Sequence, residues 1–306
     1  FDLDYNTLCG MTRAEIEATF SPELEALAVK SNATCRQVMD RLTRQYDGYR
    51  FTKDEEFTSM YNPFSVLSAL QKRSYGNYWF ASGTPTFLVE MLQKTDFDLR
   101  EMEGIEVNEA SLSDDRADIN NPIPMIYQSG YLTIKDYDER FRMYTLGFPN
   151  EEVKYGFLNF VSPFYTPIAQ TDTSFYIGKF IRELESGDVD AFLTRLRCFF
   201  AGIPYDLNDR TERHYQTVFY LVFQLMGQFT ETEVRSARGR ADAVVKTPDY
   251  IYVFEFKLND SAEAALRQID EKGYLLPYQA DGRKVVKVGV AFEKEERNIG
   301  EWVIGE

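Results

Sequence analysis

Asp242, Glu255 and Lys257 are the residues whose types and spacing point most directly to chemistry. Glu255 and Lys257 stand two apart in residues 251–258, a run of aromatic and β-branched side chains that predicts a strand. Strand side chains alternate between faces, so this acid and this amine project the same way, together with Ile251 and Val253. Residues 241–246 predict the partner strand of a hairpin. A four-residue loop at 247–250 pairs Lys246 with Ile251, and the same register sets Asp242 opposite Glu255. Directly opposed residues share a face with Cβ atoms roughly 5 Å apart, where two carboxylates repel unless something positive lies between them.

A hard divalent cation, Mg²⁺ or Mn²⁺, suits such a pair, because it prefers oxygen ligands and keeps several waters. It can polarise a phosphate oxygen and lower the pKa of water, the requirement for hydrolysing a phosphodiester. Lys257 would then orient that water or offset charge developing on the phosphorus oxygens. The same charges also fit a hairpin with one wet face, where alternate residues are charged for solvation alone.

The surrounding pattern predicts elements able to hold this hairpin. Residues 209–226 read as a helix, with Asp209 and Glu212 at capping-box spacing and Gly227 as its stop. An edge strand is expected to begin at Val234, a second capped helix over 260–274 and a closing strand over 284–292. A mixed sheet flanked by helices buries these faces. Upstream, short helices are expected over 11–46, a helix over 63–72 with Asn62 as N-cap and Pro63 in its first turn, and another after Gly83-Thr84-Pro85. Strands over 125–134 and 141–146 would form a hairpin wing, followed by helices over 153–160, 177–184 and 189–200. Gly202-Ile203-Pro204-Tyr205 breaks the periodicity. The expected fold is therefore mixed: a mainly helical, winged part at 1–205 and an α/β domain at 206–306.

Composition narrows the partners. A net charge of −15 argues against coating nucleic acid by bulk electrostatics. The acidity is uneven: residues 201–306 carry 14 Lys and Arg against 18 Asp and Glu, leaving 20 against 31 for residues 1–200. Arg235, Arg238, Arg240 and Lys246 crowd around Asp242 with no other acid from 234 to 248, either a positive rim for phosphates or solvated loop charges. Cys9, Cys35 and Cys198 are too scattered for a disulfide framework and are read as buried thiols in a reducing compartment, so a cytoplasmic location is expected. No apolar run reaches membrane-spanning length, and the start at Phe1 suggests a native start further upstream. His214, the single histidine, lies near a helix start and is assigned no role.

The string Gly239-Arg240-Ala241-Asp242 through Glu255-Phe256-Lys257, with Gln268-Ile269 and Tyr274 after it, resembles the signature of the PD-(D/E)XK nuclease superfamily, and particularly bacterial proteins that join such a domain to an AAA-ATPase-like region. The resemblance implies a metal held by Asp242, Glu255 and the carbonyl of Phe256, with Lys257 catalytic, Glu212 as an accessory acid and Gln268 facing the site, acting on DNA or RNA. Glu212 equally completes a helix cap, and a helical Gln is commonly a surface residue. Tyr274 fits core packing. Tyr46-Asp47-Gly48-Tyr49-Arg50-Phe51, Tyr61-Asn62-Pro63-Phe64, Tyr78-Trp79-Phe80, Gly83-Thr84-Pro85, Gln128-Ser129-Gly130-Tyr131-Leu132-Thr133 and Phe148-Pro149-Asn150-Glu151-Glu152-Val153 look like the later portion of that AAA-ATPase-like region, and apart from any such role read as turns and core. No GxxxxGK[ST] loop occurs, so no ATP site is expected in residues 1–306, and ATP would act only through a region upstream. The competing expectation is a catalytically inactive module that binds nucleic acid or protein.

Overall fold

The computed structural model describes residues 7–54, 59–83, 86, 88, 91–92, 97–112, 121–166, 169, 172–203, 212–234, 241–293 and 298–305. The chain divides into two compact units, Phe1–Phe157 and Leu158–Glu306. The first is mainly helical with a small sheet, and the second carries a five-stranded mixed sheet flanked by helices.

In the first unit, helices Arg13–Thr19, Ser21–Ser31, Cys35–Tyr46 and Pro63–Lys72 bury the stripe Val38, Met39, Leu42 and Tyr46 with Ile16, Leu24, Leu27, Val66 and Leu70. Their starts follow from local chemistry: Thr12 with Glu15 and Thr34 with Gln37 form capping boxes, and the Asn62 side chain accepts the Ser65 N–H ahead of Pro63. A three-stranded antiparallel sheet follows, in the order β1-β3-β2, from β1 (Ile105–Asn108), β2 (Thr133–Asp138) and β3 (Met143–Gly147).

The wing thus exists, with two corrections. Residues 125–128 are not strand but the end of the helix Ile123–Gln128, whose Pro124 falls in the first turn, where a missing N–H costs no hydrogen bond. Gly130, at φ +80°, then turns the chain into β2. β1 escaped prediction because four residues with alternate exposure carry little apolar signal. Four of the aromatic motifs meet around one cavity of about 410 Å³, lined by Tyr49, Phe51, Asn62, Trp79, Tyr127 and Gln128 among others, so they shape a wall as well as a core.

In the second unit the strands run β4 (Glu231–Val234), β5 (Ala243–Lys246), β6 (Tyr250–Lys257), β7 (Lys284–Glu293) and β8 (Asn298–Gly305), adjacent in that order. β6 and β7 are parallel and the other pairs antiparallel. The parallel connection passes through the helix Ala262–Glu271, where the Ser261 hydroxyl accepts the Ala264 N–H at 3.2 Å. β6 is nearly all apolar because both its faces are covered. Phe254 lies 5.7 Å from Phe192 and 5.2 Å from Phe223, and Phe256 lies 4.2 Å from Phe219, ring centre to ring centre, against helices Val189–Ala201 and Glu212–Met226. Ile251 and Val253 turn the other way, with Val244 and Ile269 of the crossover helix. Full burial of such side chains contributes about 1.5–3 kcal/mol each, which makes β6 a stiff support.

Several expectations need adjustment here. β4, described over Glu231–Val234, starts three residues before the Val234 expected to open it, and β8 follows the strand expected to close the sheet. Helices Thr173–Glu185 and Val189–Ala201 sit in the same compact unit as the sheet, upstream of the boundary expected at 205/206. Their burial explains this: the Tyr252 hydroxyl donates to the Leu184 carbonyl at 2.6 Å, and Phe192 packs on Phe254. The three cysteines are free and exposed, not buried. The cap at Asp209 lies outside the described residues.

Candidate active site

Lys246 pairs with Ile251 and Ala243 with Phe254, the register expected from the sequence, although the turn is tighter. Thr247 N–H donates to the Tyr250 carbonyl at 2.8 Å, leaving Pro248 and Asp249 as the loop. β5 begins at Ala243, and the same register carried one residue back sets Asp242 against Glu255. The Asp242 carboxylate takes over from the ladder at this point: its Oδ2 accepts the Phe256 N–H at 2.9 Å. In an antiparallel pair the N–H and C=O of one residue leave the strand on the same edge, so the Phe256 carbonyl faces the Asp242 side as well. The position is also the carboxyl end of two parallel strands, where open α/β sheets characteristically bind ligands.

Above the sheet, Gln268 of the crossover helix ties the charged groups together. Its Oε1 accepts from Lys257 Nζ at 2.5 Å, and its Nε2 donates to Glu255 Oε1 and, at 3.4 Å, to the Tyr274 hydroxyl. Lys257 Nζ also lies 3.3 Å from Glu255 Oε1. The amine, the amide and one carboxylate oxygen thus form a closed cluster, and the second oxygen of Glu255 is left over.

That second oxygen, Oε2, is buried without a hydrogen-bond partner. Glu255 is 3% exposed; burial first and the neighbouring Asp242 carboxylate second push its carboxyl up to about 7, against the pull of Lys257 and, more weakly, of the Asp242 backbone N–H, which makes no close hydrogen bond to Oε2. Burial likewise raises Asp242, offset by the Phe256 amide and Lys257. Two desolvated acids that resist ionising together, one with a bare oxygen, are what a divalent cation would relieve. Asp242, Glu255 and the Phe256 carbonyl form an all-oxygen donor set that fits Mg²⁺ or Mn²⁺. Among the described residues no group of three His, Cys, Asp or Glu side chains is poised for a metal, so such an ion would keep several waters.

The structure brings together Asp242, Glu255, Phe256, Lys257 and Gln268. Tyr274, expected as packing, is 9% exposed in the core and also meets Gln268 through its hydroxyl. Lys246 is not part of the cluster. Four residues along β5 place it about 13 Å from Asp242, where it pairs with Glu231 at 3.4 Å. Arg235, Arg238 and Arg240 lie outside the described residues. Glu212 begins the helix Glu212–Met226, and its side chain also falls outside the description.

Residues 210–302 match the family model described as PD-(D/E)XK nuclease superfamily, which supports a domain of that superfamily across the five-stranded sheet and its crossover helix. The fold agrees with that class. A curated relative, an uncharacterized protein in the vnfD 5′ region of Azotobacter chroococcum mcd 1, is 32% identical over 312 residues, covering 99% of this chain. The chain spans 58% of that relative's length. No solved structure matches. Among the described residues no helix is long and apolar enough to cross a membrane.

Proposed function

We propose that residues 206–306 hydrolyse phosphodiester bonds of DNA or RNA with the help of Mg²⁺ or Mn²⁺. The observation that carries this reading is the buried, unpartnered Glu255 Oε2 beside a second desolvated carboxylate, within a stretch matching a nuclease superfamily. Asp242, Glu255 and the Phe256 carbonyl hold the ion, which when bound polarises a phosphodiester oxygen and makes water nucleophilic. Lys257, anchored by Glu255 Oε1 and Gln268 Oε1, presents a fixed ammonium to charge developing on the phosphate. Gln268 keeps that amine from collapsing fully onto Glu255, and Tyr274 limits the amide's rotation. Glu212 serves as an accessory acid from the preceding helix, and Arg235, Arg238, Arg240 and Lys246 supply a basic approach for the backbone.

Residues 1–205 are read as the later portion of an AAA-ATPase-like region in a cytoplasmic protein, with ATP acting through sequence upstream of Phe1. The motif set of the first unit supports this extension.

The test is cleavage of end-labelled single-stranded and double-stranded DNA and of RNA by the purified protein with Mn²⁺. Chelator-sensitive products that disappear in Asp242→Ala are expected. A protein that binds Mn²⁺ yet cuts none of these substrates would favour a second reading, a nuclease-like module kept for recognition. The lack of a third poised carboxylate among the described residues is the observation on that side.

A further inference from the structure

Gly289 on β7 is the parallel neighbour of Glu255 on β6. A Cβ placed on Gly289 would lie 2.3 Å from the Ala262 carbonyl oxygen, 2.8 Å from the Leu266 nitrogen and 3.2 Å from the Ala265 Cβ. The two nearest atoms are backbone of the crossover helix, so no rotamer change relieves the clash. Gly289 is not among the positive-φ glycines, so an alanine could adopt its backbone conformation. What demands glycine here is close approach of another backbone, a known use of glycine within strands. The helix answers with small residues, since Ala262 and Ala265 are both fully buried.

From this geometry we infer that Gly289 is a positioning residue for the cluster of Glu255, Lys257 and Gln268: its missing side chain seats the helix low enough for Gln268 to bridge the other two. The inference rests on reading that cluster as the active site. Gln268 lies three residues after Ala265, hence on the same helix face. Restoring an ordinary contact at Gly289 requires the helix to rise by about 1 Å. Such a shift would stretch the 2.5 Å bond from Lys257 to Gln268 to the limit of a hydrogen bond. Misplacement by about 1 Å can cost on the order of 100-fold in rate.

The experiment compares Gly289→Ala with Gly282→Ala, whose Cβ would meet nothing within 4 Å. Two quantities are read: Mn²⁺-dependent cleavage, and the Gln268 side-chain amide resonance, assigned by its loss in Gln268→Ala. Gly289→Ala is expected to lower kcat about 10- to 100-fold with KM little changed and to shift the Gln268 resonance. In a Gln268→Ala background it should cost no more than about twofold. Gly282→Ala should do neither. A purely structural role would lower stability with the resonance unmoved, or cause equal loss in both backgrounds, and either result overturns the inference. If the wild-type protein cuts no nucleic acid, the nuclease reading fails while the resonance still decides the positioning role. Should Gly289→Ala not fold, Ala265→Cys pushes from the helix side and is judged by the same readouts.

Discussion

Mn²⁺ should bind more tightly as pH rises and then level off near neutrality. Glu255 sets this behaviour, because burial and Asp242 push its carboxyl from an ordinary 4.5 up to about 7, and the protonated acid cannot ligate. Below about pH 7 each pH unit then costs roughly a factor of ten in affinity, so binding at pH 5 falls about 100-fold below that at pH 8. An ordinary glutamate would leave affinity flat across this range. The metal-free protein obeys the converse linkage. A carboxyl whose pKa is raised by folding binds a proton in the native state that the unfolded chain has released, so stability falls as pH rises from 4.5 through about 7. The loss amounts to about 3 kcal/mol at most, and bound metal offsets it. Calorimetric titration from pH 5 to 8.5, in two buffers of different ionisation enthalpy, measures both affinity and proton release. Close to one proton released near pH 6 is expected; flat affinity without proton release would refute the reasoning.

Lys257→Ala should lower cleavage at least about 100-fold with circular dichroism unchanged, while Mn²⁺ binding measured at about pH 8.5 falls far less, since the amine touches Glu255 Oε1 and not its bare oxygen and its loss acts on metal only by raising the Glu255 carboxyl further; equal loss of metal binding would contradict this division of roles. In the first unit, Glu152 is 1% exposed, accepts the Ser65 hydroxyl at 2.6 Å and the Trp79 N–H at 2.8 Å, and is pushed by burial to about 7. Urea denaturation should show Glu152→Gln removing a decline in stability between about pH 4.5 and 7, and parallel wild-type and variant profiles would contradict that.

The grouping of the candidate residues was largely legible because its geometry is local. Alternation along β6 and the register of a single hairpin suffice to bring Asp242, Glu255 and Lys257 to one place, and both depend on sequence spacing alone. Gln268 needed the resemblance, because the return path of the crossover helix follows from packing rather than from periodicity. Lys246 shares a strand with Asp242 yet stands apart from the two acids, because each residue of an extended strand carries the chain about 3.3 Å further on. Elements with weak local signals also escaped. β8 has an exposure pattern that switches along its length, and residues 125–128 carry strand-like side chains on a helix that admits a proline in its first turn. Gly289 was unreadable before the fold, since only the approach of a distant backbone marks it.

Diffraction from crystals soaked in Mn²⁺, with anomalous differences collected at the manganese edge, examines the pairing of the two acids most directly. A peak shared by Asp242 and Glu255 Oε2, with the Phe256 carbonyl among its ligands, is the expected result. Manganese seated elsewhere, or Glu255 Oε2 still bare in a protein that binds the ion in solution, would contradict it.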